Sequence, residues 1–165
     1  MNPAVVGRAL LTRIQADTTL YSAGWTSALA GGASFNKAGP AAPAYPYLVY
    51  NIDVNAENYF GGLSAPFEIN IVVFDLDANG TDRLEVVIDR LIGDSTLASG
   101  TNAAPTYGFH NHKLALPSIG STNVLGAVCS ELNLTGASIG PSDTISVNQA
   151  TITFNGQLSK QATNV

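Results

Sequence analysis

Two imidazoles set two residues apart, His110-Asn111-His112, have the only metal-like spacing in this chain. On a β-strand residues i and i+2 face the same way, so both rings could share one cation. Zinc needs a third or fourth ligand, and the neighbouring sequence supplies no obvious one. The pair therefore reads as two partly exposed histidines on an edge strand, and no metal is expected. Asp75-Leu76-Asp77-Ala78-Asn79-Gly80 places carboxylate and amide oxygens at alternate positions before a glycine, as a calcium loop does. The residue falling where such a loop requires a bidentate Glu is Val86, with Glu85 one place off. Asn79-Gly80 is more simply the turn that starts a helix. No glycine-rich loop carries the lysine of a phosphate cradle, and no serine stands in a strand-turn-helix elbow. Both histidines lie on one candidate strand, and no lysine or cysteine sits beside a base. We accordingly expect no catalytic residue, no cofactor and no enzyme.

The elements that would position these residues centre on Tyr45 to Asp94. Phe67, Ile69, Ile71 and Val73 alternate with Glu68 and Asn70, the pattern of a strand with one buried face. The stretch Tyr45 to Val54 reads as its antiparallel partner, with Tyr45-Pro46 enforcing an extended entry. Leu84, Val87, Ile88 and Leu91 form an apolar stripe at helical spacing over 81–91. Asp82 and Glu85 resemble a capping box, and Gly93 supplies a left-handed stop. Upstream, Asn2-Pro3 reads as a cap and first turn, and Val6, Leu10 and Ile14 recur every four residues, predicting a helix from Pro3 to Asp17. Residues 18–43 read as loop, with at most one helical turn at Trp25 and Leu29, and 55–65 as a long, exposed connection. Downstream, strands are expected at 107–116, 124–134 and 144–154, with 136–143 as a separator and 156–165 as a frayed tail. The expected fold class is α+β: an antiparallel sheet flanked by two helices, with a strand-rich C-terminal extension, in one domain over 1–165.

Composition narrows the function classes. The chain has 165 residues, a net charge of −5, 12% charged and 45% hydrophobic residues, with 16 Gly and 8 Pro. A chain of this size can bury its own core, and this mixture suits strands and turns. Its seven basic residues are scattered singly, leaving no stripe to neutralise phosphates. The single cysteine, Cys129, cannot form an internal disulfide and reads as a small buried hydrophobe, consistent with a reducing compartment. No secretory signal or bilayer-spanning run is expected, so the sequence reads as a chain made soluble in the cytoplasm, with no membrane partner.

The order of a short N-terminal helix, a small-residue loop, the strand Pro46-Tyr-Leu-Val-Tyr50 after Pro43, the strand Phe67 to Asp75 and the helix Thr81 to Leu91 resembles the tail terminator and tail-completion proteins of long-tailed bacteriophages. The resemblance spans about Pro3 to Asp94; the strands over 105–155 extend beyond it. It implies a non-enzymatic subunit that assembles as a ring, commonly a hexamer, on the last ring of the tail tube. Such a ring halts tube polymerisation and joins the tail to the neck. The implied partners are further copies of the chain, the tail tube protein and a neck or head-completion protein. DNA would only pass through the lumen. The implied location is the head-proximal end of the virion tail, assembled in the host bacterial cytoplasm.

Acidic residues at strand ends and loops, Asp53, Glu57, Asp75 and Asp77, are candidates for a lumen or interface that repels DNA. Two other classes stay open at this level. One is another neck or head-completion protein. The other is a β-rich host-surface or carbohydrate binder using Tyr107, Phe109 or Trp25. A metal-dependent enzyme would have to be built on His110 and His112.

Overall fold

The computed structural model describes residues 3–17, 20, 33–35, 45–55, 64–93, 108–114, 116 and 127–160. The elements are α1 (Pro3–Ala16), β1 (Ala33–Phe35), β2 (Tyr47–Val54), β3 (Ser64–Leu76), a 3-10 turn (Asp77–Asn79), α2 (Asp82–Ile92), β4 (Ala127–Cys129), β5 (Asn133–Pro141) and β6 (Val147–Lys160). They form an α+β fold around a six-stranded sheet, in the order β1-β2-β3-β6-β4, with β5 also paired to β6.

The alternation read around Ile69 is what aligns the sheet. Antiparallel register pairs Ile52 with Ile69 and Tyr50 with Ile71 on one side of β3, and Ile71 with Ile152 and Ile69 with Phe154 on the other. These side chains share a face, because cross-strand partners project to the same side. All of them are buried, with Ile69, Ile71 and Ile152 fully so. Beneath that face lie Val6, Leu10 and Ile14 of α1 and Leu84, Val87, Ile88 and Leu91 of α2, in one hydrophobic cluster. The helices are held by polar contacts as well. Asp17, just past α1, takes two hydrogen bonds from Arg90 of α2 at 2.7 and 3.0 Å, and the Tyr50 hydroxyl donates to the Gly7 carbonyl at 3.3 Å.

Several elements differ from the sequence reading. Asp82 does not cap α2: it is the first helical residue, and Thr81 precedes it with no side-chain cap bond. The Thr81 hydroxyl instead donates to Glu85 at 3.1 Å. Gly93 does end the helix at a positive φ of 84°, its N–H bonded to the Asp89 carbonyl at 2.9 Å. Within the stretch read as loop, β1 pairs parallel with β2, so the sheet is not wholly antiparallel. Its three residues, Ala-Ser-Phe, are too few to carry a period. The stretch read as a separator, 136–143, is mostly strand, because β5 runs to Pro141 and turns through 142–146 into β6. The tail read as frayed is ordered to Lys160, since Gly156, Gln157 and Ser159 pair with Phe67, Pro66 and Ser64. Asn2, Trp25, Leu29, Glu57 and Tyr107 lie outside the described residues.

Candidate functional site

The two histidines do not sit on a strand. Gly108 to His112 is a tight loop that closes the C-terminal end of α2, where a helix leaves carbonyls without intrahelical partners. The Phe109 N–H donates to the Leu91 carbonyl at 2.9 Å and the His110 N–H to that of Ile92 at 3.0 Å. Asn111, at φ 60°, reverses the chain. Isolated bridges then join His110 to Leu132 and Lys113 to Glu131. Local alternation could not reveal this, because the loop is shaped by its bonds to α2 and to 132–134.

Each ring is thereby committed differently. His110 Nδ1 accepts the Leu134 N–H at 3.1 Å, tying the loop to β5. His112 has its pKa lowered, first by burial and then by the Arg13 guanidinium, with Glu131 opposing and His110 reinforcing the shift. Arg13 donates through Nε to the Gly108 carbonyl at 2.7 Å and stacks its guanidinium 5.7 Å from the Phe109 ring centre. Burial lowers its pKa too. Among the described residues no group of three or more His, Cys, Asp or Glu side chains comes together.

The acidic candidates separate in the same way. Asp75 is fully buried, so its carboxylate is not on the surface of the chain. Its carboxylate faces Arg83 Nε at 3.1 Å and accepts the Leu76 N–H at 2.9 Å, so a guanidinium stands where the calcium-loop reading would seat a cation. Asp77 is exposed and accepts a hydrogen bond from Asn148 Nδ2 at 3.0 Å. Asp53 is exposed on β2, directly opposite Glu68 of β3, and Glu68 is in turn opposite Asn155 of β6. Asn51 donates to Asp53 at 2.9 Å and Asn70 to Glu68 at 2.8 Å. Glu68 was absent from the sequence candidates because it counted only as a spacer in the alternation of β3. Asp53, Glu68 and Asn155 line a shallow open cleft of about 380 Å³. Phe109 is buried and packs edge-on against Phe154 at 5.8 Å, so it offers no ring to a sugar. Cys129 is buried, and burial pushes its thiol pKa up.

What the arrangement presents is a surface. The helices cover one face of the sheet. The other face carries Tyr47, Val49, Val72 and Phe74 at one end and Asn51, Asp53, Glu68, Asn70 and Thr153 towards the other, nearly all half-buried. Tyr47 stacks on Phe74 at 4.9 Å and meets Tyr45 at 5.4 Å. Burial raises the Tyr47 pKa, with Tyr45 adding to the shift. A face of amides, carboxylates and aromatic rings can hydrogen-bond and pack against another surface.

This fold has a counterpart among solved structures. It is similar to a chain of a solved structure, the virion of a native gene transfer agent particle, with a TM-score of 0.56, 18% identity and coverage of 96% of this chain and 99% of that one. The likeness is one of fold, and it extends through the C-terminal strands. No family model and no curated protein sequence matches the chain.

Proposed function

We propose that this chain is a structural virion protein of the tail terminator or tail-completion type, a subunit that builds a ring at the head-proximal end of a phage tail. The observation that carries this reading is the fold shared with a chain of an assembled gene transfer agent virion over nearly the full length of both. The element order of the first 94 residues, read on its own, points the same way.

The side chains support a passive role. His110 is tied to the backbone of β5, and the buried carboxylates Asp17 and Asp75 face Arg90 and Arg83. Exposed acids dominate the surface: Asp53, Asp77, Asp82, Glu85, Asp89, Glu131 and Asp143 against Arg8 and Lys113 among the described residues. In a ring such a surface disfavours a grip on passing DNA, since exposed carboxylates repel phosphates and few cations offset them. Of the exposed acids, Asp53 is the best lumen candidate, because it sits with Glu68 on the sheet face that the helices leave bare.

The partners are further copies of the chain, expected as a hexamer, together with a tail tube protein and a neck or head-completion protein. Light scattering with negative-stain imaging tests the reading, alone and with purified tail tubes. Rings, or density capping one end of the tubes, are expected. A chain that stays monomeric at every concentration and leaves tube ends bare overturns it.

A further inference from the structure

We infer that the outer edge of β5 is the surface through which one copy of this chain joins the next, by antiparallel pairing with β1 of its neighbour. The inference rests on the ring reading above and names the contact that would close the ring.

A strand at a sheet edge presents unpaired N–H and C=O groups, and proteins that stay single blunt such edges with charges, proline or bulges. Among the described residues, the edge of β5 is covered only where it begins. There the loop at His110 bridges Leu132, and His110 Nδ1 takes the Leu134 N–H. From Thr135 to Pro141, β5 pairs with β6 alone among the described residues. Thr135, Gly136, Ala137 and Ser138 are exposed whichever face they lie on. Residues 132–142 carry no charge, so the bulge at Thr135 and the proline at position 141 are the only guards, one at each end.

Charge decides the occupant. Copies of a chain with net charge −5 repel one another, so a contact between them belongs where charge is missing. The outer side of α2 is excluded, because Asp82, Glu85 and Asp89 are exposed there while Arg83 and Arg90 turn inward to Asp75 and Asp17. The neutral edge of β5 has no such obstacle. The opposite side of the same sheet ends in β1, Ala-Ser-Phe, also uncharged and paired on one side only among the described residues. Among the described residues each copy thus has two different edges without a pairing strand, which makes the contact head-to-tail, the type that closes into rings.

Direction agrees as well. β1 runs with β2, and β3, β6 and β5 then alternate, so β1 and β5 point opposite ways. Rotation about a ring axis preserves that relation, so the two strands of neighbouring copies meet antiparallel, the more stable arrangement per residue.

The test places a charge on the bare edge. Ser138→Lys leaves the core untouched, and an unchanged far-UV circular dichroism spectrum checks its fold. Where the unmodified protein forms rings, light scattering of S138K is expected to fall to the protomer mass of 17.1 kDa. The paired variant Ser34→Cys with Ser138→Cys is expected to give a ladder of disulfide-linked oligomers on oxidation, with neither single variant doing so; native Cys129 is buried and does not compete. Rings that persist in S138K, or dimers linked by Ser138→Cys alone, overturn the edge contact and leave the ring reading standing. An unmodified chain that never leaves 17.1 kDa, with or without tail tubes, overturns both.

Discussion

Gly108 shows how much rests on single residues around the α2 terminus. At φ 84° it holds a conformation that side-chain-bearing residues rarely adopt, and an added Cβ would meet the Gly93 backbone and lie 2.9 Å from the Ile92 carbonyl oxygen. Backbone cannot yield as a flexible side chain can. Gly108→Ala is therefore expected to destabilise the fold by about 3 kcal/mol, through strain and overpacking together, measured by denaturant unfolding. His112 contributes a pH dependence of known sign. Its folded pKa lies below the ordinary 6.5, so the folded state binds fewer protons than the unfolded one. The associated stability is complete above 6.5 and is lost as pH falls through the depressed value. Unfolding midpoints between pH 7 and pH 5 should decline in the parent protein, and His112→Gln should flatten that part of the slope. A slope that the substitution leaves unaltered would remove His112 as its source.

At the scale of elements, α2 is the clearest case of a pattern translating into packing. Leu84, Val87, Ile88 and Leu91 are buried, while Val86 between them is 46% exposed. Leu84→Ala should cost about 2–5 kcal/mol, by transfer and by the cavity left behind. Val86→Ser should stay within about 0.5 kcal/mol. Equal effects at the two positions would contradict the helix orientation. β6 makes the complementary point. Its end, 156–160, carries little apolar signal, yet it pairs with the start of β3 and gives β4 its partner. Gly156 belongs there because a Cβ would approach the Phe67 ring at 2.5 Å. Deleting residues 156–165 should destabilise the chain strongly, seen as a lower melting temperature. An unchanged melting temperature would restore the reading of a frayed tail.

At the scale of the whole molecule, the proposed assembly role falls to what the sheet leaves uncovered among the described residues. One face packs on two helices, the other carries no helix among the described residues, and β1 and β5 end the sheet on opposite sides. A catalytic reading needs converging groups, whereas an assembly reading needs flat faces and free edges. Light scattering, tube capping and the β5 variants measure this scale directly, and a ring broken by S138K alone would tie function to an edge instead of a pocket.

Sequence by itself determined the elements whose periodicity is local and strong. Residues 3–17 and 81–91 as helices and 45–54 and 66–75 as paired strands follow from apolar side chains recurring at the spacing of one face, a property that each segment carries alone. The burial of Cys129 was legible for a similar reason, since an unpaired thiol behaves as a small apolar group. Tertiary structure decided the rest. The histidine loop takes its shape from carbonyls of α2 and amides of β5, Asp75 is buried because Arg83 reaches it, and β1 and the last turns of β6 are strands because neighbours far away in the chain complete their hydrogen bonds. A hydrogen bond or an ion pair needs two partners, and where the second lies tens of residues distant no local pattern records it.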